Sequence, residues 1–571
     1  MSELPKFKLH YYKAKPVDFQ YLENKIDNND ISYNPHLLDF VQHYNPIYSE
    51  LFDLTPDIYN NIHLNNPYQF VDMNTVEHQA TGQRLNRPVF IKYSPLVDPT
   101  RYMAGKYEAH RDSLRILPAV PHPDHIYHKI ECPNNSAYTD TFFNFLSSTL
   151  LHAHGLKNGI EYYGSFLGIQ QKFKFNITDE LEYLSSSMFF KENNNKLFQL
   201  SNCNIDPTNN RCTRMNRNRI RVADTQKHNI TVVSLPPIED TATTHTDSPI
   251  SKEEDLVYER KHSSSDSEDE GERMRVEDVM NSDSDSNISD SCSENDDTDD
   301  DDDWEDVSES SMESDEPQSY AYIHNFPVQL ICQEKCSGTI DELFENEKLG
   351  CDESLAAMFQ IIMTLICYQK AFRFTHNDLH TNNIMYVHTE AKYLYYRYEN
   401  VVYKVPTFGR IYKIIDFGRS IYYYQDHTFC SDSFAPNGDA HTQYNCEPYL
   451  SHDKPRLDPN YSFDLCRLGC SIFDFIMDIS DNVDGLDTFQ RTILRWCTDD
   501  NEKNILYKKN GDERYPHFKL YKMIARNVHH HTPKEQLSFP EFSCYALSKS
   551  ASFKLSKDIE MINIDTISCY A

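Results

Sequence analysis

The stretch Phe374-Thr375-His376-Asn377-Asp378-Leu379-His380-Thr381-Asn382-Asn383-Ile384-Met385-Tyr386-Val387 decides how the rest of the chain is to be read. It sets a His-x-Asp-Leu-x-x-x-Asn pattern between two apolar elements. On its N-terminal side, Leu355, Met358, Phe359, Ile362, Leu365 and Ile366 recur at helical spacing. That spacing predicts a helix over 352–372, with Asp352 as its cap. On its C-terminal side, 383–387 has the length and composition of a strand. Residues 393–398 and 401–405 flank Glu399-Asn400 and predict a hairpin, and a further strand over 411–415 ends on Asp416-Phe417-Gly418. Either triplet alone arises by accident in many chains. The ordered series of long helix, loop, strands and Ile414-Ile415-Asp416-Phe417-Gly418 is far more specific.

These residue types suit phosphoryl transfer, which asks a protein for positioned metal, a carboxylate for the acceptor hydroxyl and positive charge on the phosphates. Asp378 is the candidate carboxylate. Asn383 offers magnesium a neutral oxygen and Asp416 an anionic one. Magnesium prefers hard oxygen ligands and retains several waters, so one carboxylate and one amide are a sufficient protein share. Gly418 permits the sharp turn that presents Asp416 at its strand end.

Working outward, 88–93 reads as a short buried strand carrying Lys92. Residues 139–153 read as a helix with Phe142, Phe145, Leu146, Thr149, Leu150 and Ala153 on one face. Residues 160–169 read as strand and turn, and 326–333 as a strand. Residues 1–60 are rich in Tyr, Asn and Pro with weak periodicity and predict no element. Over 251–320 there are 28 Asp/Glu against 5 Lys/Arg, a net of −23 out of the chain's −33, which leaves only −10 for everything else. A segment of that composition cannot bury enough apolar area to offset its chain entropy, so 206–319 is expected to be disordered. Its Ser-Asp-Ser-Glu runs resemble substrates of acid-directed kinases, and its charge suits basic partners.

Fifteen cysteines contain no C-x-x-C pair, and Cys332/Cys336 and Cys466/Cys470 are expected to be buried free thiols. His529-His530-His531 cannot all face one ion, so no metal is expected there. The Tyr-rich hairpin lacks the basic patch that nucleic-acid binding needs and is expected to be packed. The N-terminus shows no apolar signal core. The apolar run 355–367 is shorter than the ~20 residues of a membrane span. A soluble intracellular chain, with no nucleic-acid or membrane partner, is the expectation.

The motifs together resemble the eukaryotic-type protein kinase superfamily, and in detail the divergent serine/threonine kinases encoded by large DNA viruses. The resemblance implies an α+β, two-lobed kinase fold with the acidic segment inserted in the small lobe. It implies ATP and Mg2+ as the nucleotide and metal, a protein substrate, and a location in host cytoplasm or virion. Asp378 matches the proton acceptor, and Asn383 and Asp416 match the metal ligands. Val89-Phe90-Ile91-Lys92 is similar to V-A-I-K, which makes Lys92 the phosphate-binding lysine. Gln333-Glu334-Lys335-Cys336 falls at the hinge that holds adenine, so Glu334 and Cys336 join the nucleotide site. Asp464-Leu465-Cys466-Arg467-Leu468-Gly469 is similar to the D-x-W-x-x-G helix that supports the catalytic loop, and His376 is expected to bond backbone beneath that loop. The implied domains are 1–60 as an unassigned extension, 61–205 as small lobe and 206–319 as insert. Residues 320–545 supply the last small-lobe strand, the hinge and the large lobe, and 546–571 a tail.

The chain also departs from the pattern. No G-x-G-x-x-G precedes Lys92, and Gly82 is the only glycine nearby. The helix after Lys92 offers Asp140 in place of a glutamate. Asn377 stands where an arginine would pair with an activation-loop phosphate, so activity is not expected to need such phosphorylation. His380 stands where Ser/Thr kinases carry a lysine. Two alternatives stay open: a pseudokinase that binds without turnover, and a small-molecule kinase.

Overall fold

The first half of the protein is organised by one antiparallel sheet made of β1 (Leu38–Gln42), β2 (Val89–Pro95), β3 (Tyr162–Asn176), β4 (Phe198–Ser201) and β5 (Tyr320–Glu334). The computed structural model describes residues 7–19, 22, 33–201, 318–477, 485–556 and 559–571. Its fold is mixed α+β. Strand order is β1-β3-β5-β2, with β4 also on β5. Lys92 is the register partner of Ile331. In β2 the side chains of Val89 and Ile91 are buried while Phe90 is 46% exposed, the alternation of a strand with one covered face. The strand expected over 160–169 does not turn. It runs on as 15 residues, because β5 pairs with it as far as Asn176.

Helix α1 (Ser136–His154) packs on this sheet. Asn135 caps it by accepting the Ala137 N–H, and Gly155 closes it at φ 69° in the left-handed region, where a residue without Cβ is least strained. Its expected face is buried except for Ala153, which lies exposed in the last turn. Thr141 also lies inside, and it and Thr149 bond back to the carbonyls of Ala137 and Phe145, which satisfies their hydroxyls.

Residues 1–60 contribute more than an extension: β1 joins the main sheet, and Tyr11–Lys13 pairs with Ile62–Leu64. The insert expected over 206–319 lies outside the described residues except for Gln318 and Ser319. Its flanks are described, and Ser201 is the register partner of Tyr320. The chain therefore leaves and re-enters one sheet on adjacent strands.

The second half is built around α2 (Cys351–Phe372), with α3 (Phe463–Ile476), α4 (Thr488–Trp496) and α5 (Lys519–Asn527). Asp352 does not cap α2. Gly350 is the N-cap, without a side-chain bond, and Asp352 and Glu353 sit in the first turn, where negative charge opposes the positive helix end. Helix α2 is buried on almost every side rather than on one stripe, as befits a central helix. By length and composition it alone, among the described residues, could cross a membrane, and 89% of its apolar window is buried inside the protein.

Strand β6 (Ile384–His388) pairs with β9 (Arg410–Ile414), and between them β7 (Tyr393–Tyr398) and β8 (Val401–Pro406) form the expected hairpin. The hairpin is packed. Tyr396 is fully buried and donates its hydroxyl to Asn158 at 2.7 Å. The segment 546–571 is also built in: β10 (Ile562–Asn563) adds to β7, and Ile562, Ile564, Ile567 and Tyr570 are buried. Cys332, Cys466 and Cys470 are buried and Cys336 is partly buried. His529 bonds Asp500, and His531 bonds the Thr498 carbonyl.

Candidate active site

Between α2 and β6 the loop 373–383 is held by backbone contacts that its sequence makes possible. Thr375 exchanges both backbone hydrogen bonds with Ile421. His376 is fully buried; its Nε2 bonds the Ile415 carbonyl at 3.0 Å and its Nδ1 accepts the Asp378 N–H at 3.3 Å, a structural role. Asp464, in the first turn of α3, accepts the N–H groups of His376 and Asn377, each at 2.9 Å. Burial pushes the Asp464 carboxyl up, and His376 and these two N–H bonds pull against it. A buried carboxylate thus fastens the loop from below. Asn377 takes φ 64°, a conformation Asn tolerates better than most residues. Its amide donates to the Arg419 carbonyl and accepts the Tyr444 hydroxyl, so it ties the loop to the segment after Asp416.

Asp378 and Asn383 face each other across one turn. The Asn383 amide nitrogen bonds the Asp378 carbonyl at 2.9 Å and His380 Nε2 at 3.1 Å. Both donors are used within the loop, which leaves the amide oxygen for an external partner. Burial drives His380 down to about 4, so it is neutral at physiological pH. Asp378 Oδ1 accepts the Tyr521 hydroxyl at 2.7 Å. Burial alone would raise the Asp378 carboxyl, but Arg419, then His380 and Arg467, with the Tyr521 bond, hold it well below the usual carboxylate range. It is a carboxylate at any working pH.

The second cluster spans the two halves. Lys92 Nζ lies 2.8 Å from Asp140 Oδ2 and 2.8 Å from Asp416 Oδ1. Asp140 comes from α1, and its other oxygen accepts the Phe417 N–H and the Asn144 amide, both at 2.9 Å. Asp416 takes φ 62° at the end of β9. Burial disfavours the Lys92 charge, but the two carboxylates outweigh it and raise the ammonium above its ordinary value. For Asp140 burial wins and the carboxyl stays raised; for Asp416 Lys92 wins and the carboxyl is lowered. The Ile415 N–H bonds the Asn383 carbonyl and the Ile415 carbonyl meets His376 Nε2, each at 3.0 Å, so the residue before Asp416 is fastened to the Asp378 loop and the two clusters form one site.

The segment that follows is tied to α1. Asp432 accepts the Ser136 N–H at 3.0 Å and pairs with Lys129 at 3.3 Å, and Arg419 pairs with Asp439 at 2.6 Å. At the other end of β5, Glu334 accepts the Glu161 N–H at 2.8 Å and pairs with Lys413 at 2.5 Å. The Glu334 side chain is thereby spent on structure. The N–H groups of Glu334 and Lys335 bond the carbonyls of Glu161 and Pro88, whereas that of Cys336 has no hydrogen-bond partner among the described residues.

Lys92, Asp140, Asp378, Asn383 and Asp416 therefore converge, with Asp464 beneath. Arg419, Arg467 and Tyr521 belong to the same site and carry no local signal in the sequence. Tyr521 sits beside Leu520 and Ile524 and reads as one more core residue of an amphipathic helix. Among the described residues no group of three or more His, Cys, Asp or Glu side chains is arranged to hold a metal ion. The Asn383 and Asp416 oxygens are a two-ligand set of the hard type that magnesium accepts. No protein-family model matches the chain, and no curated protein matches it.

Proposed function

We propose that the protein is an ATP-dependent protein kinase with a two-lobed kinase fold, which transfers the γ-phosphoryl group to Ser or Thr hydroxyls of a protein substrate. The observation that carries this reading is the bridge from Lys92 to both Asp140 and Asp416, beside the anchored loop of Asp378. In such a transfer, Asp378 orients the acceptor hydroxyl and takes its proton. A bond forms from that oxygen to the γ-phosphorus while the bond to the β-phosphate oxygen breaks and ADP leaves. Lys92, held by Asp140, directs its charge to the phosphates, and the Cys336 N–H suits an adenine ring nitrogen. Asn383 and Asp416 would hold magnesium, which neutralises developing phosphate charge. Asp432 ties the segment after Asp416 to the first residue of α1, Ser136, and to Lys129 ahead of that helix, with carboxylate and ammonium already in the sequence, which supports activity without phosphorylation there. The resemblance to viral kinases, an intracellular setting and the absence of nucleic-acid or membrane partners belong to the same proposal.

A nucleotide-binding module without turnover is the second reading, favoured by the lack of a glycine-rich loop upstream of Lys92. Purified protein incubated with labelled ATP, magnesium and general protein acceptors separates the two. Label on protein that is lost in Asp378→Ala supports the kinase. Nucleotide binding without transfer supports the module, and label confined to a small acceptor would replace both with a small-molecule kinase.

A further inference from the structure

Helix α3 reaches the Asp378 loop twice. Asp464 holds its backbone, and Arg467, three residues on and on the same helix face, turns towards its side chain. Arg467 does not touch Asp378 in a direct bond. Its Nε donates to Tyr521 Oη at 2.8 Å, and Tyr521 Oη donates to Asp378 Oδ1 at 2.7 Å. A phenol has one proton. With Arg467 donating into the oxygen, that proton is directed at Asp378. Burial and the nearby Asp378 charge push the phenol above its ordinary value, although Arg467 and Arg419 pull against them, so it remains a donor at neutral pH.

The ring that carries this hydroxyl is fixed on all sides. It stacks on Phe518 at 5.4 Å and 17°, meets Phe463 at 6.2 Å, and lies under the Arg467 and Arg419 guanidinium groups at 5.0 and 5.5 Å. Tyr521 is 9% exposed and Arg467 7%. His380, the polar residue nearest in sequence beyond Leu379, is engaged by Asn383.

We infer that Tyr521 is a positioning residue for Asp378: with Arg467 behind it, it fixes one carboxylate oxygen and leaves the other to meet the acceptor hydroxyl. The inference rests on the kinase reading, deepens it, and assigns the task to a helix 143 residues away in sequence. A hydrogen bond to a charged group is of the strength that converts to about a tenfold to hundredfold change in rate.

The test is Tyr521→Phe in the full chain, which keeps the ring packing and removes only the hydroxyl. The expected result is a fall in kcat of about tenfold to a hundredfold, with KM for ATP unchanged and unfolding still cooperative, although the melting temperature drops because the buried Arg467 Nε loses its acceptor. An unchanged kcat overturns the inference. A raised kcat also overturns it, because the phenol would then be obstructing the acceptor. Phosphate recovered on Tyr521 overturns it too, making the residue an acceptor. A second readout does not depend on activity. In protein with labelled tyrosine, a slowly exchanging downfield hydroxyl proton should be lost in Tyr521→Phe and displaced in Asp378→Asn. If the wild type transfers no phosphate, the kinase reading fails by itself. A hydroxyl proton indifferent to Asp378→Asn then overturns the Tyr521 contact as well.

Discussion

Replacing Lys92 by methionine tests the centre of the site through stability alone. The Lys92 side chain is 27% exposed and that of Asp140 only 2%, whereas that of Asp416 is 43% exposed. Lys92→Met therefore strands the Asp140 charge in the interior while Asp416 falls back on solvent. Breaking a buried pair by removing one partner costs about 3–5 kcal/mol, and the exposed partner adds at most about 1 kcal/mol. The sign of the pH dependence follows. The Asp140 carboxyl is already raised with Lys92 present and must rise further without it. Between the unfolded value and that raised value the folded state binds more protons than the unfolded one. Stability then falls as pH rises through the window. The deficit of Lys92→Met should be small near about pH 4 and approach its full size by about pH 7. Urea unfolding of the wild type, Lys92→Met, Asp140→Asn and the double variant at both pH values measures this, with an unchanged m-value as the control. The double variant should be less destabilised than the two single costs added together, by about 1 kcal/mol or more. Additive costs, or a Lys92→Met variant within about 0.5 kcal/mol of the wild type at both pH values, would refute the reasoning.

Asp464→Ala leaves two buried N–H groups without an acceptor, at about 1–3 kcal/mol each, so its urea midpoint should drop clearly; an unmoved midpoint means the loop is anchored some other way. Removing residues 202–317 and joining the strands by a short Gly-Asn turn should raise the unfolding free energy, by up to about 3 kcal/mol of loop-closure entropy; a loss of cooperative unfolding counts against the seam between β4 and β5. His43, His63 and His380 are each driven by burial from 6.5 down to about 4, so the stability they contribute is present above pH 6.5 and is lost as pH falls towards 4. Melting temperatures between those limits should fall with pH, and less steeply in His380→Asn; equal slopes would contradict a buried neutral imidazole there.

The parts of the site that sequence made legible are those whose chemistry lies within a few residues. Asp378, Asn383 and Asp416 stand in short motifs at the ends of strong apolar elements. Lys92 and Asp140 could be paired across 48 residues because one lies on a strand and the other on the next long helix. Asp464 announced itself by its spacing to Gly469. Tyr521, Arg467 and Arg419 could not be found in this way. Their roles exist only where three distant segments meet, and Tyr521 follows the periodicity of any core residue. The same reason hid β1 and β10. Strands of five and two residues have no period to detect, and their partners lie far away in sequence. Asp352 misled because a capping residue type beside a glycine cannot be told from a first-turn acid by sequence alone.

The seam where β4 meets β5 also sets a distance. Ser201 pairs with Tyr320, while Lys92 pairs with Ile331, eleven positions further along the same strand. At ~3.3 Å per residue this is roughly 36 Å of sheet. A reporter or an affinity handle fused directly at the seam is carried as a passenger at that remove. About ten extended residues of tether are needed before it can touch the site.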